Sequence, residues 1–172
     1  MAFIQQGDTF YSFADYGDVV AKDSRLFLAN EGLSQNDVED ALVRSSQRIL
    51  DMFRATDWWK NYYINQAGST ANIVIGQAYS VPALNPVLIL ARQNDFTDLA
   101  VYHTLSEYLL PRVADFGNPD SAERQKIGFY GTKFRELFDE LVEDGDWYDF
   151  NADGNISNTE KYPYVINLRR VR

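Results

Sequence analysis

Between Leu33 and Phe53 the chain runs without a glycine or a proline, and its apolar residues fall on one stripe. Val38, Ala41, Leu42, Ser45, Ile49, Met52 and Phe53 recur at spacings of three and four, which places them on one face of a helix. Asp37, Glu39, Asp40, Arg44, Gln47, Arg48 and Asp51 lie off that face. Ser34 has Asp37 three residues later, which makes a capping box, and Leu33 and Val38 can staple the helix start. A stripe this long must be covered by other elements, so it commits the chain to a layered helical core.

The chain of 172 residues is long enough for one domain with a core of its own. Its 11 Tyr, 11 Phe and 3 Trp must be buried or meet a partner. A net charge of −9 argues against a general nucleic-acid surface, which needs Lys and Arg against phosphates. The absence of cysteine excludes disulfides, thiolate nucleophiles and Cys-based zinc sites. No apolar run approaches bilayer length, and the first residues carry no basic region of a secretion signal.

Taken in order, residues 2–11 predict an extended arm or edge strand ending near Gly7-Asp8. Ser12 is a candidate cap for a short helix carrying Phe13, Tyr16 and Val19, and Asp23 or Ser24 for a second, Arg25 to Asn30. After the long helix, Asp57-Trp58-Trp59-Lys60-Asn61-Tyr62-Tyr63 concentrates four aromatics. Such rings can stack on single-stranded nucleic acid; the acidic balance favours a helical extension whose rings cover the core. Residues 65–72 predict an exposed loop excursion, and Ile73-Val74-Ile75 a short strand or part of it.

Pro82 and Pro86 bracket a connector into Val87-Leu88-Ile89-Leu90-Ala91 and a helix that Pro111 stops at Leu110. Phe96, Leu99, Ala100, His103 and Leu110 share one of its faces, and Val101, Leu105 and Tyr108 widen it, so this helix is central. His103 is the only histidine. With no second His and no Cys it reads as a packed, hydrogen-bonded core residue. Asn118-Pro119 predicts the start of a last long helix, with Ile127, Tyr130, Phe134, Leu137, Phe138 and Leu141 on its inner face and Gly145 as its stop. Gly128 and Gly131 mark either a bend or a close approach.

Asp149 to Glu160 carries the chemistry. Oxygen-bearing side chains stand at loop positions 1, 3 and 5 as Asp149, Asn151 and Asp153. The glycine of position 6 is Gly154, and the carbonyl donor of position 7 is Asn155. Ser157 at position 9 suits a contact through water, and Glu160 at position 12 supplies two oxygens. This pattern resembles an EF-hand loop, and hard oxygen donors at this spacing fit Ca2+. Without metal the three carboxylates of Asp149, Asp153 and Glu160 would converge and repel. Pro163 prevents a normal exiting helix, so the loop reads as a structural brace, not a helix-opening switch. The alternative is a run of Asx turns that binds nothing. The segment 162–172 ends in Leu168, Arg169, Arg170, Val171 and Arg172. It predicts an extended arm that pairs with a sheet edge or a neighbour, or else a frayed end. No nucleophile, base and orienting group fall in a recognisable spacing, and the chain reads as non-enzymatic.

The order of segments resembles the head-to-tail adaptor, or neck, proteins of tailed phages. The resemblance rests on Ser12-Phe13-Ala14-Asp15-Tyr16, on Asp37 to Leu50, on a proline-led apolar helix from Pro86 to Leu110, and on the basic terminal arm. It spans about residues 8–113, and the calcium loop is an addition to it. The resemblance implies a structural virion protein assembled in the host cytoplasm. Such a protein forms a ring, commonly a dodecamer, beneath the portal protein, and contacts the next neck or tail protein. DNA is passing cargo in the channel, and no membrane is involved. Leu168, Arg169, Arg170 and Arg172 would be partner-binding, and an acidic lumen would discourage DNA from sticking. The fold expected is mainly α. A single domain over 1–172 would hold a small helical bundle at about 12–144, the loop 149–160 and the arm 162–172. The alternative function is a cellular EF-hand-like calcium-binding interaction module.

Overall fold

A computed structural model describes residues 3–6, 9–29, 32–60, 83–118 and 121–161. The fold is mainly α. The excursion at 65–72, Ile73 to Ile75, Tyr62, Tyr63 and the arm 162–172 lie outside the described residues.

The first segment is a hairpin, not a single arm: β1 (Ile4–Gln6) pairs antiparallel with β2 (Thr9–Ser12), with an irregularity between Ile4 and Gln5. What folds it back is aromatic packing. The Phe3 ring lies 4.9 Å from Phe13, and Phe13 lies 5.3 Å from Phe96. Ser12 does not cap a helix. It ends β2, and its Oγ donates to Ala14 O and meets Ser46 Oγ at 3.2 Å. The cap of α1 (Tyr16–Lys22) is Asp15, in a reciprocal box with Asp18. α2 (Ser24–Ala29) follows at once.

The long helix α3 (Gln35–Ala55) has the Ser34–Asp37 capping box expected of it, and Val38, Ala41, Leu42, Ser45, Ile49 and Phe53 are all buried. Thr56 turns the chain into a further helical turn at 57–60, and its Oγ accepts from Trp59 N–H at 3.3 Å. Trp58 and Trp59 are each only 2% exposed, so their rings cover the core and do not present a stacking platform.

The central helix starts later and ends later than its proline spacing suggests. Pro86–Leu88 is a single 3-10 turn, and α4 begins at Gln93 and runs to His103. Residues 88–91 are taken up instead by pairing with 147–149: Ile89 bridges Tyr148, and Leu90 N–H donates to Trp147 O at 3.0 Å. From Thr104 to Leu109 the helix widens to π, with Leu110 N–H bonded back to Leu105 O. This register moves the carbonyls a proline ring would strike in an α-helix, so Pro111 sits inside the closing turn α5 (Leu110–Val113).

α6 (Ala122–Asp144) starts three residues later than Asn118-Pro119 indicates, with Ser121 as its cap. Its 23 residues make a rod of about 35 Å. Gly145 ends it at φ 57, with its N–H on Leu141 O. A Cβ at Gly131 would meet Ser106 Cβ at an ordinary 3.9 Å and one at Gly128 would meet nothing, so neither glycine is needed for close approach.

The rod formed by α4, the π segment and α5 lies between α3 and α6. His103 is the junction of these layers. Its Nδ1 is 2.9 Å from Ser45 Oγ on α3, and its ring is 4.8 Å from Phe134 on α6. Burial pulls the imidazole below its ordinary value. The Arg48 charge adds to this, and the Glu107 charge opposes it. Below the ordinary value of 6.5 the unfolded chain therefore takes up the proton more readily than the fold does. Stability should be full above pH 6.5, fall as the pH drops beneath it, and level off below the lowered folded value. Urea unfolding between pH 7 and 5 should show this slope in the natural chain and lose it in His103→Leu. An unchanged slope in the variant would assign it to other groups.

Candidate metal centre

Loop 149–160 hangs from two fixed points, the end of α6 and the pairing with residues 88–91. Trp147 Nε1 donates to Leu141 O at 2.7 Å, which satisfies a terminal carbonyl of α6 from the far side of the turn. Asp149 N–H donates to Leu88 O at 2.9 Å, and Tyr148 Oη accepts from Asn85 N–H at 3.2 Å. Gly145 is required twice over: its φ is left-handed, and a Cβ there would lie 2.6 Å from Trp58 Nε1.

A wall of rings backs the loop. Trp58 lies 4.7 Å from Trp147 and 5.2 Å from Phe150, and Phe150 stacks on Trp59 at 5.4 Å. Trp58 and Trp59 of the aromatic run thus have a concrete partner that sequence spacing did not reveal. The pattern Trp147-Tyr148-Asp149-Phe150 was the available signal, because rings flanking a carboxylate must pack somewhere.

The loop backbone follows the expected register. Gly154 has φ 85, and Ala152 is also left-handed at φ 58. Asn151 Oδ1 accepts from Asp153 N–H at 2.9 Å, and Asp153 Oδ1 accepts from Asn155 N–H at 2.8 Å, two successive Asx turns. Asp149 Oδ2 accepts from Gly154 N–H at 2.8 Å. The other oxygen, Asp149 Oδ1, is buried and has no hydrogen-bond partner, in a residue 1% exposed.

Glu160 closes the loop. Its Oε1 accepts from Phe150 N–H at 3.0 Å and Asn151 N–H at 3.1 Å. Its Oε2 accepts from Ser157 N–H at 2.7 Å and Ser157 Oγ–H at 2.6 Å. Ser157 in turn precedes the short helix α7 (Asn158–Lys161), so Glu160 reaching back to the Ser157 N–H forms one half of a capping box as well as a clasp. Burial alone would push the Glu160 carboxyl up. The bonds from Ser157, Asn151 and Phe150 outweigh it and hold the group below its ordinary value.

The expected convergence of three carboxylates does not occur: among the described residues no group of three or more His, Asp or Glu side chains is placed to hold an ion together. Backbone donors of the turn engage Asp149, Asp153 and Glu160 one at a time, which keeps the loop closed without requiring them to face each other. The donor set still fits a hard cation, because Asp149 Oδ1 is an orphaned buried acceptor in a loop whose other side chains carry amide and carboxylate oxygens. The partner-binding residues expected from sequence, Leu168, Arg169, Arg170 and Arg172, lie outside the described residues.

One further concave surface lies between α4 and α6, a groove of about 220 Å³. Its four carboxylates are already matched: Asp98 with Lys22, Glu136 with Lys133, and Asp95 and Glu140 with Arg92.

Glu160→Ala in excess chelator should cost about 1–3 kcal/mol, because it leaves part-buried N–H groups without their charged acceptor. Ser157→Ala removes a cap hydroxyl and should cost about 1 kcal/mol. The Glu160 contribution is present above the ordinary value of 4.5 and is lost as the pH falls through its lowered folded value. Equal stability of the two variants by urea unfolding would remove Glu160 as the clasp. Comparison with protein-family models, with curated proteins and with solved structures finds no match for this chain, so the loop's own chemistry is the ground for reading its role.

Proposed function

We propose that this chain is a non-enzymatic structural protein of a tailed-phage virion. In this reading it is a ring-forming head-to-tail adaptor that binds the portal protein and carries the DNA channel towards the tail. The observation that supports this most is that the stretches bearing the resemblance interlock, although they are far apart in sequence. Phe13 N–H donates to Ser46 Oγ at 3.1 Å, Thr97 Oγ1 donates to Phe13 O at 2.9 Å, and Ser45 meets His103. The proline-led helix of the resemblance is reduced by this fold to a 3-10 turn followed by α4, which keeps the same packing face. A net charge of −9 suits a channel wall that repels passing DNA. Among the described residues no helix is long and apolar enough to cross a membrane.

A second reading, a cellular calcium-binding interaction module, draws on loop 149–160 and expects no ring. Native mass spectrometry of the chain alone and co-expressed with the portal protein of its genome separates the two. The adaptor reading expects a closed ring, free or seated on the portal, and a monomer under both conditions would overturn it. Deleting residues 166–172, and with them Leu168, Arg169, Arg170 and Arg172, should leave the melting temperature unchanged and weaken portal binding. Normal assembly of the truncated chain would remove the arm from the interface.

A further inference from the structure

We propose that loop 149–160 is a Ca2+ site built on Asp149 Oδ1. The inference is independent of whether the chain forms a ring.

A carboxylate in a residue 1% exposed, with one oxygen unpaired, is out of keeping with a folded interior unless something satisfies that oxygen. The carboxylate cannot swing away to find a donor. Gly154 N–H holds its other oxygen at 2.8 Å, and Asp149 N–H is pinned to Leu88 O. A bound cation satisfies that oxygen without moving the side chain.

The surroundings select its type. Asn151 and Asp153 follow Asp149 at alternate positions, and the left-handed residues Ala152 and Gly154 fold the backbone tightly between them. Asn151 Oδ1 and Asp153 Oδ1 each accept one N–H, which fixes their direction and leaves each a second lone pair. With the Asn155 carbonyl these are hard oxygen donors of mixed charge, without nitrogen or sulfur. Ca2+ tolerates irregular oxygen coordination completed by water, whereas Mg2+ demands near-ideal octahedral geometry and gives up water reluctantly. Glu160 frames the site, since its four hydrogen bonds hold Phe150, Asn151 and Ser157 around it.

The rings behind the loop provide a direct readout. Phe150 packs on Trp58 and Trp59, and Trp147 lies two residues before Asp149, so an ion in the loop has indoles close by. Terbium bound there should luminesce on excitation through tryptophan.

The test uses the full chain stripped of divalent ions with a chelator. Calorimetric titration should show one Ca2+ per chain and Mg2+ binding at least about tenfold weaker. Terbium luminescence should rise on titration and be displaced by Ca2+. Asp149→Asn should weaken binding by more than about tenfold, as expected when a charged ligand becomes neutral. Should that variant unfold, the exposed Asp153→Ala tests the same site with the fold intact, and circular dichroism checks it. Asp139→Asn on the exposed face of α6 should change nothing. No heat and no luminescence in the natural chain would overturn the site and leave a buried water as the partner of Oδ1. Unweakened binding in Asp149→Asn, or in Asp153→Ala should Asp149→Asn unfold, would place the ion on surface carboxylates and overturn it equally. Neither result bears on ring formation, which is read by mass.

Discussion

Arg92 holds the acidic end of α6 in place, and much of the structure follows from that. Five acidic residues, Glu136, Asp139, Glu140, Glu143 and Asp144, crowd the C-terminal half of this helix, where the dipole disfavours negative charge, and its last turn has no basic residue. Arg92 bonds Asp144 at 2.6 Å and also Glu140, reaches Asp95 at 2.7 Å, and stands 4.0 Å from Asp146. Burial works against its charge, and the bonds from Asp95 and Glu140 more than restore it, so the guanidinium stays charged. The residue adopts φ 56, a left-handed conformation that costs about 1–3 kcal/mol outside glycine. The carboxylates offset this cost and thereby set where α4 begins.

The consequences reach loop 149–160 by a short path. Fixing Arg92 against Asp144 brings the turn after α6 beside residues 88–91, where Leu88 O and Leu90 N–H take up Asp149 and Trp147. The same turn lays Trp147 on Phe53 at 5.0 Å and on Trp58 at 4.7 Å, so the loop is backed by the core instead of hanging in solvent. Elsewhere several buried polar groups are paired, while Trp58 Nε1 and Thr104 Oγ1 are buried without a hydrogen-bond partner among the described residues. Ser12 meets Ser46, Ser45 meets His103, and Asp23, buried at the α1–α2 junction, takes Lys126 at 2.7 Å and Tyr130. Burial and the Asp23 carboxylate push the Tyr130 phenol up to about 12.

Several features that depend on residues within about one helical turn agree between sequence and structure: the Ser34–Asp37 box, the buried stripe of α3, the Gly145 stop and the Asx register of residues 149–155. Two local caps did not, since Asp15 rather than Ser12 caps α1 and Ser121 rather than Asn118 caps α6. The larger departures come from distant groups. The start of α4 moved because 88–91 pair with 147–149, and the N-terminal arm became a hairpin because Phe3, Phe10 and Phe13 pack near Phe96. Pro111 lies inside α5 because the π register ahead of it relieves the clash. The separate engagement of Asp149, Asp153 and Glu160 by backbone N–H groups was not legible, because a ligand pattern names oxygens and is silent about which donors will compete for them.

The sequence by itself determined the mainly helical class, the faces of α3 and α6, the core role of His103 and the order of oxygen donors in the loop. Each follows from side-chain period or from hydrogen bonds spanning a few residues. Only the tertiary structure decided that Trp58 and Trp59 back the loop, that Arg92 takes a left-handed backbone, and that Asp149 is buried with one oxygen unpaired. Those outcomes depend on burial and charge pairing summed over segments up to about a hundred residues apart, and no local spacing encodes such a sum.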